Sequence, residues 1–434
     1  MRGKTGTLGA ISSLAAVAAV AALAAGPAGA AAAARGAAEV QGTAAVRGTA
    51  SAAAIRPVPG WAGRLMARAA GTGRARPSTS AQAAAAAFTG SVLYGVSCTS
   101  ATACTATGLS TTSDGSNYKT LAERWNGTAW TVQPTPTPGA NGRKGGALDA
   151  GVACTSGTAC VAAGYSYGTG GDRLLGESWD GTKWASQAYV SPPPAAFPYG
   201  MDCAWRKDCM AVGTRINGYT LAEHWNGTRW SAQTTPHLGA LLGASCPANE
   251  SCTAVGFNAA QHALAEHWNG KTWSTQSSPS LAQGSSLAGV SCVSASNCVA
   301  AGWEGSQDVW HPLAEHWAGG KWTVLSAVPN PDPNGGVEFN SVSCTSATSC
   351  MAVGDDENGL GTGQATFAAQ WNGAAWTVEP TPSPDTFSAL FSVSCTSATA
   401  CVAVGASSPQ TTGAVTPLIE TWDGTAWTVQ TAAS

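Results

Sequence analysis

At 434 residues the chain has room for two or three ordinary domains, yet only 10% of it is charged and it carries 53 Gly and 18 Trp, a composition set by repetition rather than size. From residue 87 onward 12 Lys and Arg stand against 23 Asp and Glu, a net charge of −11, which repels phosphate backbones and argues against nucleic acid as a partner. No P-loop, dinucleotide fingerprint, nucleophile elbow or zincin motif occurs, so nothing points to the catalytic classes that carry such signatures.

Residues 1–30 read as an export signal: Arg2 and Lys4, the apolar run LGAISSLAAVAAVAALAAG, then the small-residue site AGA at 28–30. A membrane anchor is the weaker reading, because Ala-dominated segments insert poorly. Residues 31–86 are Ala, Gly, Arg and Pro with almost no aromatic or β-branched side chains, so they are expected to form a disordered linker. Seven Arg against Glu39 make that linker net +6; contact with an anionic envelope is the alternative to a simply solvated tether.

From residue 87 to 434 the chain repeats itself. Seven cysteine pairs all have five residues between partners: Cys98 with Cys104, Cys154 with Cys160, Cys203 with Cys209, Cys246 with Cys252, Cys292 with Cys298, Cys344 with Cys350, and Cys395 with Cys401. Each pair is followed by Trp-x4-Trp, and the units recur at about 50 residues, a length typical of propeller blades. They lie near 90–138, 148–193, 198–236, 240–280, 287–332, 339–384 and 390–434. Each reads as four short strands: in the first, LYGVSC and CTATG flank TSATA, while TLAERW and WTVQPTP flank NGTA. Asn-Gly and Asp-Gly are strong hairpin signals because both residues tolerate positive φ. Strand parity puts the two cysteines of a unit on one face, and likewise its two tryptophans.

Disulfides across the first hairpin suit an exported chain. Zinc fits poorly, since the spacing is not that of a zinc knuckle and most units lack a nearby histidine. The expected fold class is all-β: a seven-bladed β-propeller of four-stranded antiparallel blades. A disulfide-rich solenoid is the competing architecture, disfavoured because its repeats are usually shorter and need caps. The blade frame is open: each blade is contiguous, or the terminal hairpins share one.

CVAVG followed by LIETWDGTAWTVQ resembles the kelch pattern, in which a glycine-ended second strand is followed by an aromatic-bearing third strand and a tryptophan on the fourth. Repeats such as VSCTSATAC and LAERWNGTAWTVQPTP are more similar to the secreted seven-fold propellers of high-GC actinobacteria, a resemblance that covers residues 90–434 and speaks to fold, hardly to activity. One glycine stands where kelch repeats usually have two, and the cysteine pair is foreign to kelch. Galactose oxidase resembles the chain at fold level only. Its copper site, which implies tyrosine and histidine ligands and a cysteine-bonded tyrosine, has no counterpart set here. Sialidase-type propellers imply Asp-box turns and an arginine cluster, and neither occurs.

Glu123, Glu177, Glu223, Glu266, Glu315 and Glu420 stand two residues before the first Trp, with Ala369 the exception. Six symmetric copies point to a structural role, accepting backbone or Trp N–H bonds. His224, His267 and His316 are read as polar packing between blades. Asn126-Gly-Thr and Asn226-Gly-Thr match a glycosylation sequon but are better explained as turns.

The spacing within each hairpin never changes, whereas the connections between second and third strands and from blade to blade vary. They share one rim of the disc, where ligand groups are expected. The candidates there are Tyr118, Tyr165, Tyr167, Tyr219, Trp303, Asp308, Trp310, His311, Asp355 and Asp356, aromatics beside hydrogen-bonding groups that suit sugar rings or peptide side chains. Calcium at DDENG is disfavoured for want of spaced ligands. Trp205, in CAWRKDC on the constant face, is a second candidate for partner contact. The expected function is a non-catalytic exported monomer binding an extracellular glycan or protein, without cofactor or metal. The alternative is a carbohydrate-active hydrolase or lyase using Asp308 with Glu304, or Asp355 with Glu357.

Overall fold

The computed structural model describes residues 88–112, 117–138, 145–166, 173–188, 196–279, 281, 283–306, 309–357 and 363–434. The export signal and linker expected before residue 87 lie outside them. Among the described residues twenty-eight strands run in chain order. The first blade is β1 (Phe88–Ser100), β2 (Ala103–Thr112), β3 (Tyr118–Trp125) and β4 (Trp130–Gln133), paired antiparallel in that order. Six more sets of four consecutive strands repeat it, so every blade is contiguous in sequence and the frame is not shifted. Their inner strands are β5 (Gly146–Ser156), β9 (Ala196–Trp205), β13 (Gly239–Ala248), β17 (Gly284–Ser294), β21 (Gly336–Ser346) and β25 (Phe387–Ser397).

Apolar packing closes the ring. Leu93, Ala106 and Leu121 of blade 1 share one core with Val402, Val404 and Ile419 of blade 7. A second core joins Val92, Tyr94 and Leu109 to Phe387 and Phe391. Stacked units without a hub are thereby ruled out. Single parallel bridges, Trp310 to Gly336 and Gln364 to Phe387, further stitch blades 5, 6 and 7.

Every cysteine pair expected from the spacing closes a disulfide within its own blade. Cys98 is bonded to Cys104, Cys154 to Cys160, Cys203 to Cys209 and Cys246 to Cys252. Cys292 is bonded to Cys298, Cys344 to Cys350 and Cys395 to Cys401, and no cysteine is left free. The second member of each pair, Cys104, Cys160, Cys209, Cys252, Cys298, Cys350 or Cys401, is buried on the second strand of its blade. The bonds are therefore straps inside the hairpins, and none of these residues faces solvent as part of a ligand site. Seven such bonds point to an oxidising environment.

The paired tryptophans sit directly opposite each other, as Trp125 does Trp130, with ring centroids 5.8 Å apart. They cover the face turned toward the preceding blade: Trp179 and Trp184 share a core with Ala122 of blade 1. Between them Gly127 takes φ 95°, and Asn126 Oδ1 accepts the N–H groups of Thr128 and Ala129, so the turn caps itself.

The glycine ending each second strand has a steric cause. The inner strand is bulged, shifting register between Leu93 and Gly95 in blade 1, and this presses a carbonyl onto the neighbouring strand. A Cβ on Gly108 would lie 1.9 Å from the Val92 oxygen, and one on Gly405 the same distance from Ala389.

Around the hub, side chains staple one inner strand to the next. Ser97 Oγ accepts the Cys154 N–H, Ser245 that of Cys292, Ser291 that of Cys344, Ser343 that of Cys395, and Ser394 that of Cys98. Blade 2 has Ala153 at this position and leaves Cys203 without such a partner. Asp202 compensates, accepting the N–H groups of both Cys203 and Cys246. Burial pushes its carboxyl above the ordinary range while those two N–H groups pull the other way.

Candidate functional site

The disc has two unlike faces. The Cys-x5-Cys turns and the Trp-x4-Trp turns share one of them. The position a Cβ of Gly227 would take lies 2.7 Å from Lys207 carbons, and that of Gly424 equally close to Thr399. The connections of variable length emerge on the opposite face.

On that variable face the seam between blades 5 and 6 gathers several predicted residues. Trp303, on the second strand of blade 5, and Trp310, on the third, are tilted partners with centroids 6.3 Å apart. Trp310 is buried and lies so close over Gly336 of blade 6 that a Cβ there would fall 2.4 Å from the indole. Trp303 remains half-buried, while Val309 and His311 are exposed. His311 Nδ1 bonds the Asn330 side-chain amide at 2.6 Å. Asn330 Oδ1 accepts the Asp332 N–H at 3.0 Å, fixing the loop that crosses into blade 6. Asp356 completes the group. Burial, and secondarily the charge of Asp332, push its carboxyl above the usual aspartate range, and its Oδ1 is buried without a hydrogen-bond partner.

Sequence reasoning named Trp303, Trp310, His311 and Asp356 but missed Asn330 and Asp332. PNPDPNGG reads as turn chemistry, and the fold alone brings its two polar side chains to the seam. Asp308 and Tyr167 lie outside the described residues.

The other candidates separate. Asp355 points to the opposite pleat face from Asp356 and is buried in the next seam. It accepts the side-chain amides of Asn340 and Gln364. The exposure expected of it fails, and with it a solvent-facing Asp355–Glu357 pair. Tyr165 is buried and Tyr118 packs against the core between blades 7 and 1; both stand on strands rather than in the loops beyond them. The expected exposure fails for Trp310 as well, since the neighbouring blade covers it. Tyr219 is exposed, and with Ile216 and Leu238 it forms an uncovered apolar patch on blade 3 that sequence reading had recognised only in part.

At the hub, residues from all seven inner strands line a cavity of about 250 Å³. The residue before each bulged Gly or Ser changes from blade to blade, from Tyr94, Tyr199 and Phe391 to Ala150 and Ala288. Tyr94 and Phe391 are stacked at 5.8 Å.

The repeated glutamates are structural. Glu123 accepts the N–H groups of Ala433 and Ser434 across the closing seam, and Glu315 accepts the Ser278 hydroxyl. Three of the expected Trp N–H donors instead bond turn carbonyls, Trp125 to Ala101, Trp225 to Arg206 and Trp422 to Ala398, while Trp230 and Trp322 donate to Gln187 and Gln276. His224 bonds Asp208 at 2.7 Å and packs on Trp268 of the next blade. No cluster of three or more metal-ligating side chains occurs among the described residues, nor any helix long and apolar enough to cross a membrane.

No protein-family model matches the chain, and no curated protein does. Solved structures resemble it at low identity. The GH74 xyloglucanase of Xanthomonas campestris is 10% identical with a TM-score of 0.49, over 76% of this chain and 54% of that one, so the chain spans about half that enzyme's length. The fucose-specific lectin of Aleuria aurantia is 12% identical with a TM-score of 0.43, over 67% of this chain and 95% of the lectin. YCF48 from Cyanidioschyzon merolae is 12% identical with a TM-score of 0.45, over 73% and 93%.

Proposed function

We propose that the chain is an exported, non-catalytic propeller that binds a neutral extracellular or cell-envelope glycan at the seam between blades 5 and 6. The observation that carries this reading is the half-buried Trp303 in the seam that Asp356 faces, under the loop of Asn330 and Asp332; His311, opposite Glu304 in the register, stands on the other pleat face and reaches the site only through Asn330. An indole gives a pyranose an apolar face to stack on, and carboxylate and amide groups bond its hydroxyls. Asp332 and Asp356 repel anionic ligands, which favours an uncharged sugar over an acidic one. Export and association with the cell wall belong to the same proposal, drawn from the N-terminal sequence and the seven disulfides, as does kinship with secreted actinobacterial propellers, drawn from the repeat.

The test is a glycan array and an envelope pull-down with the full chain. Saturable binding to a neutral glycan, weakened at least about tenfold by Trp303→Ala and by Asp332→Asn, is the expected result. Binding that survives both changes, or follows Tyr219→Ala on blade 3 instead, overturns the site. Turnover of a glycan abolished by Asp356→Asn overturns the non-catalytic reading in favour of hydrolysis or lysis.

A further inference from the structure

The constant face has one conspicuous irregularity. In six blades the residue opening the Cys-x5-Cys turn is Ser100, Ser156, Ala248, Ser294, Ser346 or Ser397. Where Thr stands two places on, the serine caps the turn, as Ser100 Oγ accepts the Thr102 N–H. Blade 3 gives up that cap for Trp205-Arg206-Lys207. Trp205 is 62% exposed at the base of a two-residue turn, a large cost in unburied apolar surface with no partner within the blade.

Charge collects around it. The Lys207 stem lies against Gly227, in the turn that carries Arg229. The neighbouring blades 2 and 4 present Lys183 and Lys271 at the equivalent turns, and blade 5 presents Lys321. Together the fourteen turns of this face hold six cations against Asp180, Asp208, Glu250 and Asp423, which makes them net +2 in a body of −11. The formal −13 of the rest includes seam glutamates that burial keeps protonated, Glu177 and Glu420 among them. The two carboxylates nearest Trp205 in sequence are both engaged, Asp208 by His224 and Asp202 by the N–H groups of Cys203 and Cys246.

We infer that this face docks on an anionic lipid surface, with Trp205 seated at the headgroup level and Arg206, Lys207 and Arg229 around it. A tryptophan on a protruding turn, ringed by cations, matches what an interface between water and lipid rewards: an amphipathic ring at the boundary and basic groups drawn to negative headgroups. The cation excess of these turns draws this face toward a negative plane. A convex turn does not enclose a sugar, which favours a plane over a soluble polyanion. The surface is separate from the seam between blades 5 and 6, so the failure of either reading leaves the other standing.

Co-sedimentation of the full chain with vesicles of phosphatidylglycerol and phosphatidylcholine tests it, against vesicles of phosphatidylcholine alone. Binding is expected only to the anionic vesicles, falling with salt. It should weaken at least about tenfold in Arg206→Glu/Lys207→Glu and severalfold in Trp205→Ala, with unchanged circular dichroism. Equal binding by the parent and both variants assigns any lipid affinity to the arginines before residue 87 and overturns the inference. Retention of a soluble polyuronate by the same residues, without vesicle binding, overturns it in favour of an acidic glycan.

Discussion

Replacing Glu420 by glutamine tests how the seams between blades are held. Glu420 is fully buried on the third strand of blade 7, and neither carboxylate oxygen has a hydrogen-bond partner. Burial pushes its carboxyl from the ordinary 4.5 to about 8. Between those values the folded chain keeps a proton that the unfolded chain has released. Raising the pH therefore favours unfolding: the full stability is present below about pH 4.5 and is lost as pH climbs through about 8. At about 1.4 kcal/mol per pKa unit the whole loss is at most about 5 kcal/mol, and water entering the seam reduces it. Glu420→Gln keeps the shape and stays neutral throughout. Scanning calorimetry with the disulfides intact should place the variant within about 1 kcal/mol of the parent near pH 5 and about 2–4 kcal/mol above it near pH 8.5. Parent and variant curves that run parallel across this range would refute a protonated seam carboxyl.

Other substitutions probe the remaining contacts. Glu177, likewise pushed up to about 8 by burial, should respond as Glu420 does, whereas Glu123→Gln replaces by an NH2 donor one of the two oxygens that separately accept the Ala433 and Ser434 N–H groups and should cost about 1–3 kcal/mol by chemical denaturation. Gly405→Ala drives a methyl into the Ala389 carbonyl and is expected to abolish secretion of folded protein, while Gly157→Ala, which meets nothing within 4 Å, should express like the parent. Removing one hub staple by Ser291→Ala leaves the Cys344 N–H without its acceptor, a loss of about 1–2 kcal/mol measurable by urea titration. Cys344→Ser combined with Cys350→Ser opens one small ring and should cost about 2 kcal/mol in the same assay.

Local chemistry made the fold legible in the sequence, and it recurs seven times. Asn126-Gly127 specifies a turn from its own side chain and φ. The cysteine spacing needs only strand parity to bring Cys98 opposite Cys104, and the same parity pairs Trp125 with Trp130. The exception at Ala369 was visible without an explanation. In the structure it shares a core with Val328 of the preceding blade, which occupies the seam where the other blades place a glutamate. The candidate site was half legible: loops of variable length marked the correct face, yet Asn330 and Asp332 carried no signal beyond that of a turn.

By itself the sequence determined what each repeat builds: four strands, two fixed turns, a disulfide and a pair of indoles, all of them set by neighbours a few residues apart. Only the tertiary structure decided how the ring closes, which of Asp355 and Asp356 turns toward which seam, and whether Trp303 or Trp310 is left to solvent. Those outcomes depend on the adjoining blade, whose atoms lie about fifty residues away along the chain, and no local preference of the strand encodes what will cover it.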